Sequence, residues 1–333
     1  MLIAKFNDHY VNASNARQGE KYYCPECGEK LILRKGKTKI AHFAHYSKSK
    51  CLFGEGETYE QLLGKQQIFE WAREHGWDAE LEVYIAELNQ RADIIITIKE
   101  KQFVIEFQCS PLSERKLAER TRGYRKIGLN CIWLLGSRYF GKQSQRQTQK
   151  FLQFLNHRYL LAFWNTKKGQ VNLVRPVIRM KPATIKTINQ DYRILQKQRL
   201  LMHQGTTLPL ICHHRITGLH FTNYQEILWR YQVCLWLTDI PIFTSFTKTQ
   251  WFQYLREINS TGWETFPCLQ PFSITNVYLK LFTKQLVMDG IIKISYQRVI
   301  ILKHPEWGLS LEKQYNKIDR ERKRTILVDI NKV

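Results

Sequence analysis

Two apolar runs on either side of a short charged turn constrain this chain more than any other feature. ADIIITI (92–98) and QFVIEFQ (102–108) flank the turn KEKQ, and runs rich in β-branched and aromatic residues closed by a tight turn read as a hairpin. ETYEQLLGKQQIFEWAREHG precedes them. There Tyr59, Leu62, Leu63, Gln66, Phe69 and Ala72 fall mostly on one helical face, and Gly76 supplies a stop. SERKLAERTRGYRKIG follows as a charged helix with Ser113 as N-cap, and CIWLLG (131–136) reads as a returning strand. Helix, hairpin, helix and strand make a compact α/β unit. YLLAFWN and QVNLVRPV, split by TKKG, extend its sheet as a further hairpin.

Carboxylates sit where this hairpin carries its apolar load. Asp93 begins the first strand, and Glu106 and Gln108 are two apart on the second, so their side chains share a face. A charge directed toward a core is costly unless it is paired or bound to metal. Asp93 and Glu106 brought together by strand pairing suit one Mg²⁺ or Mn²⁺, with Glu57 of the preceding helix as a third acid. Arg120 and Tyr124, one helical turn apart, can hold a phosphate, with packing the favoured role for Tyr124 and a solvated face the alternative for Arg120, and Lys126 follows them.

The N-terminal zone has a different chemistry. CPECGEKLILRKGKTKIAHFAH places Cys24 and Cys27 on a tight turn, and fourteen residues separate Cys27 from His42. A Cys-x2-Cys pair can grip one face of a tetrahedral zinc ion, and His42 with His45 can close the other. His-x2-His is one residue tighter than in the usual helical finger, and Cys51 stands as an alternative to His42. Four protein ligands make such a metal structural. The eight cysteines are too sparse for a disulfide framework, so a reducing, cytoplasmic setting is expected.

A formal charge of +22 implies a polyanionic partner. The chain holds no run of about 18 apolar residues, and its basic residues are spread along its length, so DNA is expected rather than membrane insertion. Three domains are read: a zinc-binding knuckle at 1–52, the α/β domain at 53–180, and a basic, mainly helical region at 181–333. The last contains a basic helix at about 188–203. It ends as FTKTQWFQYLREI, SITNVYLKLFTKQLVMDG and IIKISYQRVIIL, an order of helix, helix and hairpin that resembles a winged helix. Lys280, Lys284 and Lys293 would then face phosphate. Trp229, Trp236, Trp251, Tyr254 and Tyr278 read as core more readily than as a base-stacking surface. DRERKRTILVDINKV reads as a solvated charge run, and CHHRITGLH (212–220) as ordinary core and surface residues rather than a second metal cluster. No Walker or dinucleotide glycine pattern occurs.

CPECGEKLILRKGKTKIAHFAH, ETYEQLLGK, RADIII, VIEFQCSPLSER, RTRGY and CIWLLG, in that order, resemble the competence protein CoiA family over roughly residues 20–136. The resemblance implies a PD-(D/E)xK, restriction-endonuclease-like core. It also implies a role in natural transformation, where incoming single-stranded DNA recombines with help from RecA. By motif, Asp93 and Glu106 match the metal-binding acids and Glu57 the helix acid. Gln108 stands where that fold has its lysine, and Gln61 where the family's helix often has histidine. Glutamine can orient water but brings no charge. Two readings follow: a metal-dependent nuclease, if Arg120, Lys126 or Lys65 supplies the cation, or a non-catalytic single-strand-binding mediator that recruits RecA on a nuclease scaffold.

Overall fold

The computed structural model describes residues 1–36, 40–51, 57–197, 207–222, 226–258, 262–321 and 326–332, and divides into two compact units, 1–175 and 176–333. The first unit opens with a five-stranded sheet of β1 (Ile3–Phe6), β2 (His9–Asn12), β3 (Tyr22–Tyr23), β4 (Lys30–Arg34) and β5 (His42–His45), in the order β2-β1-β3-β4-β5. Its small core gathers Ala4, Tyr22, Leu31 and Phe43. The first strand continues the apolar start Met1–Ala4 and pairs with both β2 and β3, whereas β2 is largely polar and is defined by its pairing with β1.

The α/β part follows as α1 (Tyr59–Glu74), β6 (Asp78–Ile85), β7 (Gln90–Ile98), β8 (Lys101–Gln108), α2 (Glu114–Lys126), β9 (Asn130–Leu135), α3 (Arg146–Gln149), β10 (Gln153–Leu155), β11 (Arg158–Asn165) and β12 (Gln170–Val174). Seven strands form one sheet in the order β10-β11-β9-β8-β7-β6, with β12 on β11. The β8–β9 and β9–β11 pairs are parallel, as the helical crossover at α2 requires, and the rest are antiparallel. The expected hairpin is β7–β8 and the expected helices are α1 and α2. Ser113 caps α2, accepting from the Lys116 amide at 3.2 Å. β6 completes the sheet beside β7; its alternation of Ala79, Leu81, Val83 and Ile85 with polar residues signalled a strand that the sequence reading passed over.

One face of the sheet, with Ile94, Ile96, Ile105 and Phe107, packs on Leu62, Ile68 and Ala72 of α1; the other, with Ala92, Ile95 and Val104, packs on Tyr124 of α2. The buried stripe of α1 is therefore Leu62, Lys65, Ile68 and Ala72, while Tyr59 is exposed. Gly64 permits this packing: a Cβ there would lie 2.0 Å from the Phe107 ring.

The second unit contains β13 (Val177–Lys181), α4 (Ile185–Lys197), β14 (Arg215–Thr217), α5 (Glu226–Asp239), β15 (Ser245–Thr247), α6 (Lys248–Glu257), α7 (Ser273–Met288), β16 (Ile292–Ser295), β17 (Arg298–Ile301), α8 (Leu311–Glu321) and β18 (Ile326–Asp329). Two three-stranded sheets form, β14-β13-β18 and β15-β17-β16. Two readings need correction. The C-terminal stretch is not wholly a solvated charge run, because Ile326 and Val328 let β18 pair with β13. The basic helix begins earlier than expected and is described to Lys197; the expected remainder, 198–203, lies outside the described residues.

Gly64→Ala should destabilise the protein by about 1–3 kcal/mol, because the added methyl group meets a ring that is itself buried. A thermal melt should show the loss as a drop of several degrees.

Candidate functional site

The Cys/His knuckle is built by local hairpin geometry. Between β3 and β4 the chain turns at Cys24-Pro25-Glu26-Cys27-Gly28, with the Gly28 amide donating to the Cys24 carbonyl at 3.0 Å and Gly28 at φ +71°, a left-handed conformation that suits glycine. Cys24, Cys27, His45 and Cys51 converge so that one ligand atom from each lies within 4.8 Å of the others. Cys24 Sγ and Cys51 Sγ are 3.9 Å apart, and Cys27 Sγ is 3.4 Å from His45 Nε2. Zinc–thiolate bonds of about 2.3 Å at tetrahedral angles put sulfurs about 3.8 Å apart, so this donor set fits zinc.

His42 is not part of it, which corrects the expectation that His42 and His45 act as a pair. Both lie on β5, and residues three apart on a strand point to opposite faces. His42 Nδ1 instead lies 2.8 Å from the Ile40 carbonyl. Cys51 takes the fourth position.

The carboxylate cluster lies where β7 and β8 separate. Their pairing runs from Ile98–Lys101 to Ile94–Ile105 and stops one residue short of Asp93 and Glu106. Asp93 fills the gap, its Oδ2 accepting from the Phe107 amide at 2.9 Å. Burial, with the Glu106 carboxylate alongside, pushes Asp93 up to about 7. The Glu106 carboxylate turns toward α2, where Arg120 and the Tyr124 hydroxyl both donate to it. Tyr124 is fully buried, so it packs and holds Glu106 and is not available to a phosphate. Arg120 remains partly accessible, with 29% of its side chain exposed, and Lys126 is exposed. Gln108 donates its amide to the Ser110 carbonyl at 2.7 Å.

On the α1 side, Lys65 is wholly buried among acids. Its Nζ pairs with Glu57 at 2.5 Å, with Glu82, and with Asp93 at 3.8 Å. Burial alone would lower the lysine, but Glu82, Glu57 and Asp93 together raise it above its ordinary value and keep it charged. Burial would raise Glu57 and Glu82, yet Lys65 holds both below the usual carboxylate range. Glu57 Oε2 also lies 2.7 Å from the Met1 amino nitrogen, and Glu82 Oε2 accepts from the Leu2 and Ile3 amides at 2.6 and 3.0 Å. Glu60 is engaged elsewhere, accepting from the Ser137 amide and hydroxyl.

Glu57, Asp93 and Glu106 thus border one buried region, but cations and hydroxyls of the protein occupy their oxygens. Among the described residues, the set that closes to mutual ligand spacing is the Cys3His knuckle. Sequence reasoning missed Glu82, which shares the polar face of β6 with Glu80 and looks ordinary there. It used Lys65 only as one of three cations. Yet Lys65 falls on the apolar stripe between Leu62 and Ile68, and that placement was the available signal.

In the second unit, His213 Nδ1 lies 2.8 Å from Asp191 Oδ2, and His214 Nδ1 accepts from the Ala183 amide at 2.8 Å, so these histidines serve the core as expected. Trp229, Trp251 and Tyr278 are buried core residues, whereas Tyr254 is 43% exposed.

A mixed α/β domain with buried acids at a strand divergence, preceded by a metal-type knuckle, defines a nuclease-like protein with an accessory metal module. A family model described as the competence protein CoiA nuclease-like domain matches residues 57–206, and one described as the CoiA N-terminal domain matches residues 6–54. The chain belongs to the competence protein CoiA family. It is 33% identical over 117 residues to the competence protein CoiA of Bacillus subtilis (strain 168), a match covering 35% of this chain and 31% of that relative. No solved structure matches the chain. No described helix is long and apolar enough to cross a membrane.

Cys51→Ala should abolish stoichiometric zinc in the purified protein, and His42→Ala should retain it. Elemental analysis of the two variants checks the ligand set.

Proposed function

We propose that the chain is a Mg²⁺- or Mn²⁺-dependent deoxyribonuclease of the PD-(D/E)xK type that acts on DNA during natural transformation. The observation that carries this reading is Lys65. The nuclease chemistry needs a cation beside the metal-binding acids, and Gln108 brings none. Lys65 delivers one from α1, 3.8 Å from Asp93. Asp93 and Glu106 would hold the divalent ion, with Glu57 as third acid; their hard oxygen donors suit it. When bound, that ion activates water and neutralises charge on the phosphorane. Lys65, buried beside Asp93, would offset the charge gathered at the acids, Gln108 would orient the attacking water through its amide oxygen, and Arg120 would present its exposed edge to a phosphate.

The second unit supports the DNA reading through its topology. We infer a winged helix there, because its order α5-β15-α6-α7-β16-β17, with β15-β17-β16 as the sheet, resembles one. Ile274, Val277, Tyr278, Leu281, Phe282 and Leu286 of α7 are buried, so most of that helix is closed to a groove. Lys280 and Lys284 remain exposed one turn apart, and the β16–β17 hairpin exposes Lys293, Arg298 and Tyr296, the last at 96%. We infer phosphate contacts at the lysines and base stacking at Tyr296.

A second reading rests on one observation. Arg120 and Tyr124 both donate to Oε1 of Glu106, as they would in a scaffold that keeps the fold without cleavage. That protein would bind single strands and deliver them to RecA.

With labelled single- and double-stranded DNA in Mn²⁺, the wild type should cleave, and Asp93→Asn should lose about 10²-fold or more in rate while keeping its circular dichroism. Cleavage should fall as pH drops through about 7, because a proton on Asp93 competes with the cation. Binding without cleavage, unchanged in Asp93→Asn, would replace the nuclease with the mediator. Lys280→Ala and Lys284→Ala should each reduce the slope of log affinity against log salt by about 1.

A further inference from the structure

Glu26, between the two cysteines of the knuckle turn, connects the knuckle to the carboxylate cluster. Its Oε2 accepts from Cys24 Sγ at 2.8 Å, and its Oε1 lies 3.1 Å from Arg91 Nη1. Both side chains are buried, 2% and 9% exposed. Arg91 begins the apolar part of β7, two residues before Asp93. Its carbonyl accepts from Arg120 Nη2 at 2.9 Å, and the same Arg120 nitrogen pairs with Glu106. Burial would lower Arg91, but Glu82, Glu26, Glu57 and Asp93 together hold its charge in place. A continuous chain of polar contacts therefore runs from Cys24 through Glu26, Arg91 and Arg120 to Glu106.

We propose that the Glu26–Arg91 pair couples metal occupancy of the knuckle to the geometry of the carboxylate cluster, with both residues acting as positioning residues. A metal held by Cys24 and Cys27 binds them as thiolates, so Cys24 no longer donates to Glu26, but it fixes the turn and with it the backbone that aims Glu26 at Arg91. Without it, Glu26 is free to withdraw, and the pull on Arg91 passes to Glu82, Glu57 and Asp93. A buried charge that loses one of its partners leans harder on those that remain, so the start of β7 and the Arg120 contact shift with it. Asp93 and Glu106 stand on those two elements. The coupling is reciprocal, so a cation at the cluster tightens zinc at the knuckle by the same factor, about tenfold for a coupling of ordinary size.

The inference deepens the nuclease reading, and its test separates the two. Amide hydrogen exchange of the full-length, zinc-loaded protein is followed by mass spectrometry, with and without a zinc-selective chelator. The comparison uses Glu26→Gln and the double variant Glu26→Met with Arg91→Met, in which apolar side chains replace the whole pair and folding is expected to survive. In the wild type, chelation should speed exchange across residues 90–108 about tenfold or more. In the double variant it should speed exchange in residues 22–51 and leave 90–108 unmoved, with Glu26→Gln between the two. Exchange across 90–108 that ignores chelation in the wild type, or a double variant that responds like the wild type, would overturn the coupling. Calorimetric titration with Mn²⁺ reads the cluster itself. Affinity about tenfold weaker in stripped protein supports the coupling, equal affinity overturns it, and no Mn²⁺ binding in either form removes the nuclease reading while the exchange result still decides the coupling.

Discussion

A single buried ammonium holds the first unit together at its most highly charged point. Lys65 has no solvent exposure and pairs with Glu57, Glu82 and Asp93, which come from the residue before the α1 cap rather than from the helix as expected, from β6 and from β7. Burying three acids so close together would be prohibitive without it. Because Glu82 also accepts the Leu2 and Ile3 amides, the same charge fixes where the first strand of the N-terminal sheet joins the α/β core. Packing alone could not specify that junction so narrowly, since apolar contacts have no direction.

Two kinds of metal chemistry are kept apart by donor type. The knuckle offers three soft sulfurs and one imidazole, a set that holds zinc and leaves no open position. The cluster offers carboxylate oxygens with a cation beside them, the donor type that the proposed nuclease would use for a hard divalent ion. Lys65, Arg120, Tyr124 and the Phe107 amide already hold several of the cluster's oxygens, with both α2 donors on Oε1 of Glu106. A divalent ion must therefore compete with internal partners, and occupancy becomes sensitive to anything that moves those partners.

Much of the fold was legible in local pattern. The β7–β8 hairpin, α1, α2 and β9 follow from apolar periodicity and from Ser113 as a cap, because those signals act between residues near in sequence. The same periodicity revealed the α6, α7 and hairpin order of the second unit. Strands with weak local signals went unseen. β1 and β2 are only four residues each and are fixed by pairing, and β18 sits in a charged segment whose Ile326 and Val328 gain meaning only beside β13.

For the candidate site, the sequence by itself determined the ingredients: two cysteines on one turn, acids at 57, 93 and 106, and a glutamine at 108 in place of a lysine. Spacing along the chain could not choose between His42 and Cys51, because that choice depends on which face of β5 each residue presents and how the segment after it folds back. Nor could spacing show that Glu106 turns to Tyr124, that Lys65 lies inward beside Asp93, or that Glu26 reaches Arg91 across 65 residues. Those pairings were decided by tertiary structure alone. An ion pair is a through-space interaction, and its strength depends on distance and burial, which exist only once the chain has folded.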